Sequence, residues 1–307
     1  MQRENQIAVI KNFDGALVSW SETYCRSAKQ QGFDVRSEYN ANDLSDKIFL
    51  GDKIPKTMGH AGCNIFFLGA ADCSKRELTS IKLTDATTTV SSAEKKRIVN
   101  AFPYLNPDKI SVDGFPIDLE LLQGIKESTL SHNRKIDNSV CFLGRTDNDK
   151  GPNEEIEIVK ALRDKGYNIF HLSGGKISIS DKLNEMGVNV IEGISGQKYL
   201  ELLSQMDCVV NTSPRESLFV SGLEASGVGV PVLAPLIEDS GIQDWNLAER
   251  LYDYKDISSV VKMIQEISSE SRDLVIPDVS YYDKTAYFNR IRQLCDKVRN
   301  RTDYVSV

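Results

Sequence analysis

The stretch at residues 207–235, DCVVNTSPRESLFVSGLEASGVGVPVLAP, decides the fold because it has the pattern strand, loop, helix, strand. The short apolar run 208–210 predicts a buried strand, and the Ser-Pro pair 213–214 ends it. A helix is expected over 218–227 and a second buried strand over 230–234. Open α/β sheets bind ligands at the carboxyl ends of parallel strands, where free N–H groups and the positive end of a helix dipole attract phosphate. The stretch therefore predicts an α/β sheet with an anion-binding edge.

Length and composition describe an ordinary globular protein. The 307 residues are enough for two domains, and 40% of them are hydrophobic and 26% charged. The net charge of −7 argues against a broad nucleic-acid surface, although a local basic groove stays open. Apolar runs fall short of the ~18 to 20 residues that a membrane span needs, and the N-terminal apolar run is too short for a signal peptide. We therefore expect a cytoplasmic protein without an integral membrane segment.

The number and spacing of the cysteine and histidine residues argue against a metal-binding protein. The six cysteines are scattered without a CxxC pair, which predicts reduced, buried thiols. The three histidines do not cluster with cysteines or carboxylates, so no metal site is expected.

Strands alternate with helices through most of the chain, which predicts parallel sheets covered by helices. Residues 40–62 have a loop-rich pattern, and the polar stretch 128–139 is interpreted as the interdomain linker. We expect an N-terminal acceptor-side domain at 1–130, a C-terminal nucleotide-sugar-binding domain at 137–280, and a C-terminal helix within 281–307 that returns to the first domain. Strands are predicted at 7–10, 34–39, 64–68, 87–90, 110–112, 140–143, 168–172, 188–191, 208–211 and 230–234, and helices at 92–100, capped by Ser91 or Ser92, and at 282–299.

The turn after the strand at 140–143 carries two candidate phosphate ligands. The sequence CFLGRTDNDKGP at 141–152 contains Arg145 at the end of the strand and Lys150 one short loop later. A guanidinium and an ammonium at a sheet edge can clamp the two phosphates of a nucleoside diphosphate. A solvated turn with surface salt bridges has the same pattern, and this alternative stays open for the turn considered alone.

Two further loops could contact a nucleotide. Ser173 and Gly174 belong to a Gly-containing turn after a strand, where backbone can approach a ligand closely. Ile194 follows the strand at 188–191, where a base could stack and bond to main chain. An ordinary turn fits each loop equally well.

Taken in order, the segments GRxxxxKG, LSGGK, VxVIEGI and SPRESLFVSGLEASGVGVPVLAP resemble the C-terminal domain of GT-B glycosyltransferases over about residues 137–236. They are most similar to the retaining enzymes of glycosyltransferase family 4, whose Glu-x7-Glu motif is matched by Glu216 and Glu224. The turn with Arg145 and Lys150 is also similar to that of viral DNA α-glucosyltransferases. The resemblance implies an α/β fold of GT-B architecture, with two Rossmann-like doubly wound domains and an interdomain cleft.

The resemblance also implies the roles of individual residues. Arg145, Lys150 and Glu216 would be catalytic, the two cations on the diphosphate and the carboxylate near the reacting carbon of the sugar. With cations and backbone dipoles stabilising the leaving group, the chemistry needs no metal and no cofactor beyond a nucleoside diphosphate sugar, for which a UDP-sugar is expected. The donor-binding residues would be Gly15, Ser173, Gly174, Ile194, Ser221, Gly222, Leu223 and Glu224.

The implied function is retaining, metal-independent transfer of a sugar to an acceptor hydroxyl. The acceptor is either a glycan or lipopolysaccharide sugar or a hydroxymethylated DNA base. The alternatives are a non-catalytic nucleotide-sugar-binding protein and a nucleotide-sugar epimerase of the same fold. Ser217, Leu218 and Phe219 replace the family's Gly-Phe-Gly, and the sequence carries no signal for the oligomeric state.

Overall fold

The computed structural model describes residues 7–11, 18–36, 45–50, 63–68, 75–146, 150–238, 240–245, 251–269 and 277–302. The chain divides into two compact units, one of Met1–Asp118 with Ser280–Val307 and one of Leu119–Val279. Within the described residues, each unit is built on a parallel six-stranded sheet. The predicted α/β class with two such sheets is confirmed.

The elements follow one another in an alternating order. The first unit contains β1 (Ile7–Lys11), α1 (Val18–Gln30), β2 (Asp34–Arg36), β3 (Asp46–Leu50), β4 (Asn64–Leu68), α2 (Lys75–Leu83), β5 (Ala86–Thr89), α3 (Ser92–Ala101) and β6 (Ile110–Val112). The second contains α4 (Leu119–Ser131), β7 (Ser139–Leu143), α5 (Pro152–Arg163), β8 (Asn168–Ser173), α6 (Ser180–Glu185), β9 (Asn189–Glu192), α7 (Gly196–Leu203), β10 (Cys208–Val210), α8 (Val220–Gly227), β11 (Val232–Pro235), β12 (Leu251–Tyr252) and α9 (Ile257–Ser269). The chain ends in the first unit with α10 (Lys284–Thr302).

Strand β3 lies within the region that the sequence analysis assigned to loop, and that assignment is wrong for these residues. The sheet order is β2-β1-β3-β4-β5-β6, so β3 is a central strand between β1 and β4. Its first two residues, Asp46 and Lys47, are charged and yet buried. Arg299 of α10 forms an ion pair with Asp46, which compensates the burial of that carboxylate.

The second sheet has the order β12-β11-β10-β7-β8-β9. From β7 the chain moves outward through β8 and β9, and it then returns to the other side of β7 with β10. The order therefore reverses between β7 and β10, which pair in parallel with Val209 opposite Cys141. Ligands of open α/β sheets bind outside the carboxyl ends of the strands at such a reversal.

Helix α4 belongs to the second unit, so the boundary between the units falls at Asp118/Leu119 and not after residue 130. The helix also continues to Ser131, into the stretch interpreted as a linker. Its apolar face, including Leu122, is buried, and Thr129 Oγ1 lies 2.6 Å from Ser204 Oγ just after α7. These contacts stabilise the polar C-terminal end of α4 in the helical conformation, although its sequence lacks helical periodicity.

Helix α10 packs within the first unit. The Tyr287 hydroxyl lies 3.1 Å from that of Tyr24 in α1, and the Phe288 ring centroid is 5.4 Å from the Tyr24 centroid. Lys284 Nζ forms an ion pair with Asp118 Oδ1 at 2.8 Å. Aromatic packing and ion pairs therefore hold α10 against the rest of the first unit.

No helix in the described ranges is long and apolar enough to cross a membrane. Buried free thiols are found at Cys25, Cys63, Cys141, Cys208 and Cys295.

Candidate functional site

The loops that follow β7 and β10 bring two of the predicted catalytic residues into contact. Lys150 Nζ donates a hydrogen bond to Glu216 Oε1 at 2.9 Å. The two side chains are 25% and 11% exposed, so the ion pair is sheltered and still reachable from solvent. It lies at the carboxyl edge of the second sheet, at the reversal of strand order.

Backbone packing determines where Lys150 is held. Thr212 Oγ1 donates to the carbonyl oxygen of Lys150 at 3.0 Å. Gly151, with φ of +65°, comes so close to the same loop that a Cβ would lie 1.9 Å from the Thr212 carbonyl oxygen. Only glycine fits this contact, and Pro152 then starts α5. The turn after β7 is therefore docked on the loop after β10.

Arg145 is exposed at the same edge, in the turn directly after β7. The next residue, Thr146, is buried and bonds to the loop after β8: Ser178 N donates to Thr146 Oγ1 at 2.8 Å, and Ser178 Oγ donates to Thr146 O at 2.9 Å. These bonds fix the backbone that carries Arg145. Residues 147–149 lie outside the described part of the chain.

The loops after β8 and β9 also meet. Ile194 N donates to the carbonyl oxygen of Ser173 at 3.2 Å, and Gly175 N donates to Ser173 Oγ at 3.1 Å. Ser173, Gly174 and Ile194 are therefore brought together at the sheet edge that carries Lys150. Gly15 lies outside the described residues.

Helix α8 begins at Val220, two residues after the predicted start. The N–H groups of Gly222 and Leu223 both donate to the carbonyl oxygen of Phe219, at 3.0 and 3.1 Å. In this structure these two amides are therefore engaged within the first turn of the helix, and the Leu223 side chain is fully buried. Ser221 and Glu224 are half-buried on the same helix.

Two further residues near this edge, Tyr199 and His171, were not identified from the sequence. Burial, followed by the negative charge of Glu224, raises the pKa of Tyr199 in α7, which indicates that the phenol lies near that carboxylate. His171 in β8 is buried and bonds to Glu155 Oε1 and to the carbonyl oxygen of Gly144. Its neighbours Ile169 and Leu172 are also buried, and a lone histidine within this short apolar run is the signal that could have identified it.

Among the residues that the structure describes, no group of three or more His, Cys, Asp or Glu side chains is placed to hold a metal ion. Arg145 and Lys150 lie at this edge, and the loops after β8 and β10 carry two further exposed cations, Lys176 and Arg215.

The fold is that of GT-B glycosyltransferases. Anabaena Alr3699/HepE, solved with UDP and glucose, is similar with a TM-score of 0.68 and 12% identity, over 96% of this chain and all of that chain. A glycosyltransferase from Rickettsia africae has a TM-score of 0.68 and 9% identity, over 96% of this chain and 99% of that one. TarM of S. aureus has a TM-score of 0.61 and 17% identity, over 82% of this chain and 54% of that one. No protein-family model and no curated protein matches the sequence.

Proposed function

We propose that this protein is a retaining, metal-independent glycosyltransferase that moves a sugar from a UDP-sugar to an acceptor hydroxyl. The observation that carries the proposal is the contact between Lys150 and Glu216, 2.9 Å apart at the reversal of strand order in the second sheet. A cation beside a carboxylate at this point matches the needs of a glycosyl diphosphate, whose phosphates are anionic and whose reacting carbon becomes positive in the transition state.

The cations would act on the leaving group. Lys150 and Arg145 bind the diphosphate and stabilise the charge that develops as the glycosidic bond breaks, which is the largest contribution in many enzymes. The N–H groups of Gly222 and Leu223 are engaged within the first turn of α8. The helix therefore adds to this attraction through its dipole and not through hydrogen bonds from these two amides.

The remaining residues would hold the donor. Glu216 contacts the sugar near the reacting carbon, and Glu224 accepts hydrogen bonds from the ribose hydroxyls. Ser173, Gly174 and Ile194 line the place of the base, Ser221 contacts the phosphates, and Gly15 lets its loop approach the donor. Catalysis then rests on positioning and on leaving-group stabilisation, not on a strong protein nucleophile.

The comparison with solved proteins supports the choice of donor. Alr3699/HepE was solved with UDP and glucose and also with UDP-glucose, and a TarM variant was solved with UDP, fondaparinux and α-GlcNAc-glycerol.

A thermal-shift panel tests the donor. UDP-, GDP-, ADP- and TDP-sugars are added to the protein, and the bound donor raises the melting temperature because it binds only the native form. We expect the UDP-sugars to give the largest shift. A panel without any shift would contradict the proposal.

Product analysis then tests the reaction. Incubation with the selected donor and an acceptor should give a glycoside with the anomeric configuration of the donor, read by NMR. A new nucleotide sugar formed without acceptor would indicate an epimerase, and binding without turnover with any acceptor would indicate a non-catalytic protein.

A gel shift tests the class of acceptor. Salt-sensitive binding of hydroxymethylated duplex DNA would favour a DNA base as the acceptor over a glycan hydroxyl.

A further inference from the structure

We propose that His171 is a positioning residue, held as an imidazolium by Glu155, that fixes the Gly144–Arg145 turn for donor binding and weakens that binding when it loses its proton. This inference rests on the proposed function, because it assigns the turn to the donor diphosphate. His171 bonds to the carbonyl oxygen of Gly144, the residue before Arg145, so its effect would be transmitted through the backbone of the turn.

With an ionised Glu155, the geometry requires protons on both ring nitrogens. His171 is 1% exposed. Its Nδ1 lies 2.6 Å from Glu155 Oε1, and its Nε2 lies 2.8 Å from the carbonyl oxygen of Gly144. A carbonyl oxygen and an ionised carboxylate only accept, whereas a neutral imidazole has a single N–H. With an ionised Glu155, both bonds form only when the ring is an imidazolium.

The surrounding charges favour this state. Burial lowers the pKa of His171, but the hydrogen bond and negative charge of Glu155, the Gly144 carbonyl and the charge of Glu192 outweigh it, so that the pKa is raised. Glu155 faces the ring from α5 and Glu192 from the end of β9. Cys141 of the adjacent strand β7 lies near Glu155, and burial, the first of several causes, raises the pKa of its thiol well above the usual range, so this thiol is neutral.

The bonds reach both ends of the turn that carries the predicted phosphate ligands. Gly144 N donates to the Leu172 carbonyl oxygen at 2.9 Å while Gly144 O accepts from His171, so the residue before Arg145 is held from two sides. Helix α5 starts directly after Lys150 and Gly151, and Glu155 lies in its first turn. Deprotonation removes one of the two ring donors and leaves either a buried carboxylate or the Gly144 carbonyl without its partner.

The charge state can be measured without any donor. The chain has three histidines, so histidine-selective 15N labelling gives few signals, and His171→Gln assigns the one from His171. We expect both ring nitrogens of His171 to have protonated chemical shifts at pH 6, with a titration midpoint above that of a free histidine. A midpoint at or below that of a free histidine would overturn the inference.

The positioning role is measured by calorimetric titration with UDP-glucose, whose diphosphate diester does not titrate between pH 6 and 9. We expect the Kd of the unmodified protein to rise about tenfold, the loss of about one hydrogen bond to a charged group, as pH passes the midpoint found by NMR. His171→Gln should bind about tenfold more weakly at pH 6.5 and show no such pH step. The matched control is His132→Gln, since His132 is exposed on the surface of the same unit, and it should retain the step.

Glu155→Gln covers the case in which His171→Gln fails to fold. A neutral amide can donate to Nδ1, so the titration midpoint of His171 should fall below that of the unmodified protein, and the pH step at the original midpoint should disappear. If UDP-glucose and the other nucleotide sugars do not bind the unmodified protein, the proposed function fails and the positioning role fails with it. If they bind and His171→Gln matches the unmodified protein in affinity and pH profile, only the positioning role is overturned.

Discussion

The ammonium of Lys150 and the carboxylate of Glu216 form an ion pair across the junction of β7 and β10, although 66 positions separate them in the chain. In the donor-free protein, Glu216 therefore partly neutralises the cation that we assign to the diphosphate. In the proposed mechanism a donor displaces or shares this bond, and we expect the two residues to contribute differently to affinity and to turnover.

Replacement of Glu216 should separate binding from catalysis. Glu216→Gln removes the carboxylate that competes for Lys150, so the Kd for UDP should stay the same or fall, whereas kcat should fall about 100-fold or more, as for loss of one preorganised electrostatic group. Steady-state kinetics and calorimetry measure the two effects. Glu157→Gln, at an exposed position of α5, is the control and should leave both unchanged. A weakened UDP affinity with unchanged kcat would contradict this role.

Replacement of Lys150 should act on donor affinity. Lys150→Ala removes a charge-assisted bond to the diphosphate, and we expect the Kd for UDP to rise about 10- to 100-fold. Lys160→Ala is the matched control, because Lys160 lies on α5 with its side chain 57% exposed and pairs with Glu157. Calorimetry at two salt concentrations checks both variants. An equal loss in the two would indicate a general charge effect and would count against a site at Lys150.

The contact between Gly151 and Thr212 should be visible in stability. Gly151→Ala places a methyl group against the Thr212 carbonyl in addition to the strain of positive φ, and should cost at least about 3 kcal/mol. Gly166→Ala has a similar φ of +78° with nothing within 4 Å, and should cost only about 1 kcal/mol, or about 2–4 °C in melting temperature. Differential scanning calorimetry measures both. Equal shifts would mean that the turn moves away from the loop without cost.

The buried histidine predicts a pH dependence of stability. The pKa of His171 is raised in the folded protein above about 6.5, its value in an unfolded chain. Its contribution to the free energy of unfolding is therefore fully present below about pH 6.5 and is lost as pH rises through the folded pKa. The difference in melting temperature between the unmodified protein and His171→Gln should be largest at pH 6 and shrink towards pH 9. A difference that grows with pH would contradict the sign.

Removal of divalent ions should leave the proposed transfer activity intact. In the proposed mechanism Arg145 and Lys150 supply positive charge to the leaving group, so we expect EDTA to change kcat by less than about twofold, whereas loss of one electrostatic group costs about 100-fold. Initial rates with and without EDTA test this. A rate abolished by EDTA and restored by Mg²⁺ or Mn²⁺ would contradict metal independence.

Local pattern was sufficient where a strand or helix carries its own signal. The strands at 64–68 and 110–112 have their predicted bounds, because each is a short run enclosed by polar or turn residues. The helix over 92–101 begins after Ser91, whose side chain accepts from Glu94 N as its S-x-x-E pattern predicts.

Long-range compensation defeated the same reasoning elsewhere. Strand β3 begins with Asp46 and Lys47, which read as polar loop, and the ion pair that permits burial of Asp46 comes from Arg299, 253 positions away. The partnership of Glu155 and His171 likewise depends on α5 packing over β8, which no local spacing reveals. The resemblance to glycosyltransferases implied that Lys150 and Glu216 belong to one site, but their direct contact was not predicted.

The central claim is tested most directly by the position of UDP in a crystal structure of this protein with the nucleotide. We predict that its phosphate oxygens lie within hydrogen-bonding distance of Lys150 Nζ and the Arg145 guanidinium, at the carboxyl ends of β7 and β10. A nucleotide bound elsewhere, with the Lys150–Glu216 pair intact and no phosphate beside it, would contradict the account.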